Sequence, residues 1–154
     1  MPKKQKSKPK ATEDRYVRYV NRLCEYFRRA VFAGEYTLGV EVDCLPGPEI
    51  PAGKEVMAII DIDTTYLSIH MKLFKGLREW FNEKKFQQIA GVICHEFCHV
   101  LTEPLYELAV VNAAPSQLKE IETVRERQTE RVSASLFQLV PKGVWQQRVG
   151  RVGK

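Results

Sequence analysis

Hydrophobic and polar positions alternate along the chain with two different periods, which divides it into helical regions and a group of short strands. Over residues 13–33 the apolar side chains recur every three or four positions, the spacing of an amphipathic helix. This stripe consists of Tyr16, Val20, Leu23, Phe27 and Ala30. Gly34 follows it, and a glycine at this place predicts the end of the helix.

Three segments after this helix alternate with a period of two, which is typical of half-buried strands. They are residues 36–44, 55–63 and 65–73. A loop rich in proline and glycine follows the first segment. The other two segments predict a hairpin that turns at Asp63 and Thr64. We therefore expect a small, mainly antiparallel sheet of at least three strands.

The second half of the chain has helical spacing. Residues 75–103 predict helix with a break near Asn82, and Pro104 predicts its end, because proline lacks the N–H that a helix interior needs. A final helix is expected to begin at Pro115 and to end before Pro141. The order helix, strands, helix, helix predicts an α+β domain in which the sheet packs against helices.

Composition agrees with a single globular unit. The 154 residues are 44% hydrophobic and 28% charged, which fits one domain with an ordinary core. We place that domain at residues 12–141. Residues 1–11 and 142–154 are predicted to be solvated basic tails, which carry much of the net charge of +5. Such tails can make weak, nonspecific contacts with nucleic acid, although solubility alone also explains them.

Neither a membrane span nor a secretory signal is predicted. No apolar run approaches the roughly 18 residues of a spanning helix, and lysines at the N-terminus are not followed by an apolar stretch. We therefore expect a cytoplasmic protein without membrane contact. Its four cysteines should be reduced thiols.

The segment ICHEFCHVLTEP, residues 93–104, contains two of the three histidines of the chain. Residues four apart on a helix differ by about 40° and by roughly 6 Å along the axis, so His95 and His99 can converge on one ion. Glu96 lies about 100° around from His95, beside that ion. HExxH on a helix is the pattern of zinc peptidases, in which the glutamate is the general base for a metal-activated water.

Two other interpretations of this segment stay open. The histidines face away from the apolar side of the helix and can form a solvated surface pair. Cys94 and Cys98 flank them and are soft enough to bind zinc in a structural site. We expect both cysteines to be small core residues instead.

A catalytic zinc takes three protein ligands, so one more must come from elsewhere. Glu103 lies about 12 Å along the helix axis from His95 and is too far away. The final helix carries Glu122, Glu126 and Glu130 at four-residue intervals, which also describes a solvated acidic face. Helical position does not separate Glu126 from Glu130. Burial favours Glu130, because the segment after it is apolar almost all round.

Residues 55–141 resemble the gluzincin-type HExxH zinc metallopeptidases, and most of all the small ImmA/IrrE-type proteins of phages and mobile elements. The resemblance consists of a strand hairpin, the sequence HEFCH, a later helix with glutamates and the closing sequence LVP, which resembles the leucine-rich ending before a proline in that family. It implies a zinc-dependent hydrolase for peptide bonds. By this resemblance His95, His99 and Glu130 are the zinc ligands and Glu96 is the base. If Glu130 is the third ligand, Glu126 is left to orient His95 or His99 through a ring N–H.

The substrate expected from this resemblance is a peptide or protein. The segment 65–73 is predicted to be the sheet edge to which an extended peptide adds. Tyr66, His70 and Tyr106 are candidates for stabilising an oxyanion, although each is expected to be structural.

Two alternatives to a peptidase remain at this stage. One is a zinc-stabilised module that binds nucleic acid through its basic tails, and the other is an interaction protein without turnover. Peptide cleavage that depends on Glu96 distinguishes the peptidase from both.

Overall fold

Five helices and a three-stranded sheet make up the part of the chain that the computed structural model describes, residues 14–47, 50 and 55–146. The elements are α1 (Arg15–Ala30), β1 (Thr37–Cys44), β2 (Ala58–Asp63), β3 (Ser68–Phe74), α2 (Lys75–Asn82), α3 (Phe86–Val111), a 3-10 turn (Pro115–Gln117), α4 (Leu118–Leu139) and α5 (Lys142–Trp145). The predicted α+β class is confirmed. None of these helices is long and apolar enough to cross a membrane.

The sheet has the order β1, β3, β2, with β3 parallel to β1 and antiparallel to β2. It is therefore mixed, where the sequence predicted a mainly antiparallel sheet. The β2–β3 hairpin is confirmed, and its turn covers residues 64–67. Asp63 stabilises this turn, since its carboxylate accepts the backbone N–H groups of Thr65 and Tyr66, both at 2.9 Å.

The prediction that residues 65–73 form a sheet edge is wrong. β3 hydrogen-bonds to a strand on each side, which leaves β1 and β2 as the edges of the sheet within the described residues. The periodicity of a strand shows which side chains point inward, but it does not show which strands become its neighbours.

The core lies between one face of the sheet and the helices. Its main contributors are the α1 stripe, the inward side chains of β3 and the apolar face of α3. They include Tyr16, Val20, Leu23 and Phe27 of α1, Ile69, Met71 and Leu73 of β3, and Ile89, Ile93 and Phe97 of α3. The predicted α1 stripe is thus buried, apart from Ala30, which is half-buried.

The domain ends later than the predicted boundary at residue 141. Residues 142–145 form α5, which packs against α1. The Tyr19 hydroxyl lies 2.8 Å from the Trp145 carbonyl oxygen, and Arg22 donates to the Val144 carbonyl at 3.3 Å. The predicted N-terminal tail, residues 1–11, and residues 147–154 of the predicted C-terminal tail lie outside the described residues.

The predicted break near Asn82 is confirmed, but the predicted end of the next helix at Pro104 is wrong. α3 continues through Pro104 to Val111. Proline removes one backbone hydrogen bond from this helix. Contacts with α4 offset that loss, since Arg125 donates to Glu103 at 2.8 Å directly before the proline.

Replacing Pro104 with alanine should stabilise the protein. The new N–H can donate to the carbonyl of Val100, and this gain exceeds the added freedom of the unfolded chain, so we expect the free energy of unfolding to rise by about 1–2 kcal/mol. Urea unfolding of the two proteins measures the difference. Pro115→Ala is the control and should change stability less, because proline is tolerated at the start of a helix. Equal stability of Pro104→Ala and the parent would contradict the expectation.

Candidate metal centre

The helices α3 and α4 run antiparallel and touch along their length. Successive contacts join Cys94 to Ser133, Thr102 to Thr129 and Glu103 to Arg125. The first two contacts involve small side chains, which lets the two helices approach closely. Side chains on the facing sides of the helices are thereby brought within reach of each other.

Both histidines of the HExxH segment face α4. Their ring centroids are 5.1 Å apart and the rings are nearly perpendicular. His99 is buried, with 6% of its surface exposed, and the side chain of His95 is 30% exposed. A solvated surface pair is therefore not what the structure contains.

Glu126 is the carboxylate that meets these histidines. One of its oxygens lies 3.7 Å from Nε2 of His95, and the other lies 3.7 Å from Nε2 of His99. The ligand atoms of these three residues all lie within 4.8 Å of one another. This is the group in the described part of the chain that can hold a metal ion.

The structure does not bring Glu130, the predicted third ligand, to the histidines. Both glutamates are exposed on α4, but among the described residues it is Glu126 whose carboxylate belongs to the converging group. The buried stripe of α4 passes through Thr129 and Ser133, and Glu130 is rotated by about 100° from Thr129, away from α3. The segment after Glu130 is also less buried than predicted, since Leu139 is 79% exposed.

Two imidazoles and a carboxylate are a donor set found in catalytic zinc sites. Ligand atoms around a tetrahedral zinc lie roughly 3.3 Å apart, given bonds of about 2.0–2.2 Å. The two 3.7 Å separations between histidine Nε2 atoms and Glu126 oxygens are close to this value. The residues present therefore fit zinc after small side-chain adjustments.

Two threonine hydroxyl groups form a hydrogen-bonded chain on the Nδ1 side of His99. Nδ1 of His99 lies 3.3 Å from Oγ1 of Thr129, which lies 3.0 Å from Oγ1 of Thr102. The Thr102 hydroxyl in turn donates to the His99 carbonyl oxygen at 3.1 Å. Thr129 is completely buried.

The environment keeps His99 neutral, as a metal ligand must be. Burial is the main cause that lowers the pKa of His99 to about 4, and the positive charge of Arg125 acts in the same direction. At neutral pH the ring therefore carries one proton, and its other nitrogen keeps a free lone pair.

Glu96 lies beside this group and is not part of it. Burial raises the pKa of its carboxyl to about 8, and the negative charge of Glu126 contributes to the rise. The backbone of Ile60 on β2 and the charge of Arg125 act against that rise. A cation next to Glu96 would also lower this pKa, because it favours the carboxylate.

Arg125 joins the two helices one turn beyond the histidines. Its guanidinium binds Glu103, lies 3.6 Å from Glu122 and stacks 4.3 Å from the ring centre of Tyr106. The pairing with Glu103 agrees with the prediction that this glutamate does not join the histidines.

Thr129 and Arg125 were not predicted from the sequence as parts of this site. A usable signal was present for Thr129, since it stands three residues after Glu126 and four before Ser133, on one helical stripe of polar residues. Arg125 carries no such signal, because an arginine among glutamates is typical of any exposed helix.

The candidates for an oxyanion group lie away from the histidines. Tyr66 is 80% exposed in the hairpin turn. His70 points to the outer face of the sheet, where its Nε2 lies 3.2 Å from Glu41. Tyr106 follows His99 by seven residues, about 10 Å along the helix axis, and packs on Arg125.

Cys94 and Cys98 are core residues, as predicted. Their exposed fractions are 1% and 0%, and neither belongs to the converging ligand group. Its hydrogen bond with Cys98 and, after it, burial raise the pKa of the Cys94 thiol. A structural site built on these cysteines is therefore not supported.

The geometry of His95, His99 and Glu126 is the observation that describes this site. Comparison of the chain with models of protein families, with curated proteins and with solved structures found no match.

Proposed function

We propose that this protein is a zinc-dependent metallopeptidase in which His95, His99 and Glu126 hold the metal and Glu96 is the general base. One observation carries the proposal: three side chains of a catalytic-zinc donor set converge within 4.8 Å, next to the half-buried carboxyl of Glu96 on α3. The resemblance to gluzincin-type metallopeptidases supports it, with Glu126 in the position that the sequence interpretation gave to Glu130.

When bound, zinc would polarise the carbonyl of the scissile peptide bond and lower the pKa of a water molecule. Glu96 takes the proton of that water while the water oxygen bonds to the carbonyl carbon. When the C–N bond breaks, Glu96 returns the proton to the leaving amine nitrogen. A carboxyl whose pKa lies within a few units of neutrality is suited to accept and release a proton in turn.

The free edge of β2 is the place where we propose that the peptide binds. β2 pairs with β3 on one side only within the described residues, and its other edge offers backbone groups for a further strand. Ile60 of β2 lies close enough to Glu96 for its backbone N–H to lower the pKa of that carboxyl. A peptide paired with this edge would run past the general base.

We also propose that the protein works in a reducing compartment such as the cytoplasm. Cys24, Cys44, Cys94 and Cys98 are all free thiols in the structure. This is what a reducing environment maintains.

The protein should bind one zinc ion per chain and cleave peptides only when zinc is present. Elemental analysis after purification without chelator measures the stoichiometry, and a library of fluorogenic peptides measures cleavage. Activity should disappear with a chelator and return with added zinc. Protein that is folded, supplied with zinc and still free of stoichiometric metal would contradict the proposal.

A further inference from the structure

We propose that Thr129 is a positioning residue that holds His99 in the Nδ1–H tautomer, with Thr102 as the second member of the same chain. This role of Thr129 rests on the proposed function, because it matters for activity when His95, His99 and Glu126 bind zinc. The tautomer itself is a property of the protein without metal and can be tested separately.

The direction of each hydrogen bond in this chain follows from counting protons. The His99 carbonyl has no proton, so the Thr102 hydroxyl donates its single hydrogen there, over 3.1 Å. Thr102 can then only accept from Thr129, at 3.0 Å. Because Thr129 has used its own hydrogen, its oxygen can only accept at 3.3 Å from Nδ1 of His99. Nδ1 therefore carries the ring proton.

The position of that proton decides what the opposite nitrogen can do. With the proton on Nδ1, the lone pair of Nε2 points toward Glu126, whose nearer oxygen lies 3.7 Å away. With the proton on Nε2, the same direction would carry an N–H group and would exclude a metal ion. A partner on the far nitrogen that sets the tautomer typically raises metal affinity by about 10- to 100-fold.

Burial makes this effect larger than it would be at the surface. Thr129 is 0% exposed and His99 is 6% exposed, so water does not readily replace a lost partner of Nδ1. The Thr129 hydroxyl is the hydrogen-bond partner of this nitrogen in the structure. Thr129 thus acts on the metal through His99 and touches neither metal nor substrate.

The test compares Thr129→Val, which keeps the shape and removes the hydroxyl, with Thr129→Ser, which keeps the hydroxyl. Imidazole nitrogen-15 shifts of the zinc-free protein at neutral pH report the tautomer of His99. We expect the Nδ1–H form in the parent and in Thr129→Ser, and a shift toward the Nε2–H form in Thr129→Val. An Nε2–H tautomer in the parent would overturn the inference, whether or not the protein cleaves peptides.

Zinc affinity is the second readout. Thr129→Val should bind zinc about 10- to 100-fold more weakly, and Thr129→Ser should stay close to the parent. Thr102→Val should lower the zinc affinity less than Thr129→Val does. It removes the group that accepts the hydrogen of the Thr129 hydroxyl, but Thr129 keeps its contact with Nδ1 of His99. Thr123→Val on the same helix is the matched control, since that hydroxyl donates to the Lys119 carbonyl on an exposed face. Unchanged zinc affinity in a folded Thr129→Val protein would overturn the positioning role.

Discussion

Replacing Glu96 with glutamine is expected to abolish peptide hydrolysis while one zinc ion per chain stays bound. Glutamine has nearly the same shape but cannot accept the proton of the attacking water. Loss of a general base typically lowers the rate by about 100- to 10,000-fold. The side chain is not among the three whose ligand atoms converge, so metal affinity should change little.

Rates and zinc content should be measured on the same preparations. Glu107→Gln is the matched control, because Glu107 lies on the same helix and is exposed. Among the described hydrogen bonds, its side chain takes part only in those from the Thr64 hydroxyl in the hairpin turn. It should keep both activity and metal. If Glu96→Gln lost zinc as fully as His95→Ala, then Glu96 would be a ligand and the assigned role as base would be wrong.

The second large effect concerns the third ligand, for which the structure and the sequence favour different residues. Glu126→Ala should weaken zinc binding by roughly 100-fold or more. A zinc site of four ligands stabilises the bound ion by about 10–16 kcal/mol, so one ligand accounts for roughly 2.5–4 kcal/mol. Glu130→Ala should change the affinity by about twofold at most, because its carboxylate is not among the three side chains whose ligand atoms converge.

Both variants replace a glutamate of α4 by alanine, which favours helix, so the fold should persist in each. Competition titration with a zinc indicator gives the two dissociation constants directly. The reverse order of affinities would mean that α4 turns about 40° around its axis, which is the angle between residues four apart. In that case Glu130 would be the ligand, as burial predicted from the sequence.

Local patterns determined much of this protein from the sequence alone. The α1 stripe, the β2–β3 hairpin and the break after Asn82 depend on contacts within a few residues, which periodicity and turn chemistry report. The orientation of His95 and His99 toward one side of α3 is also local, because it follows from the 3.6-residue repeat. Each of these features needs no information from a distant part of the chain.

The partners of each element were decided only by the tertiary structure. β3 became the central strand because β1 joined it in parallel, across the long connection after Cys44. α3 continued through Pro104 because α4 supplies contacts along its second half. Neither pairing is visible in the alternation of the segments themselves.

The choice between Glu126 and Glu130 shows the physical reason most clearly. The two residues differ by about 40° on one helix, so the rotation of α4 about its axis selects between them. Thr129 and Ser133 set that rotation, since their small buried side chains let α4 approach α3 near Cys94 and Thr102. The apolar second half of α4 pointed to Glu130 from the sequence, but an apolar side chain can stay exposed, as Leu139 does. Packing between helices, and not the composition of either helix, turns Glu126 toward the two histidines.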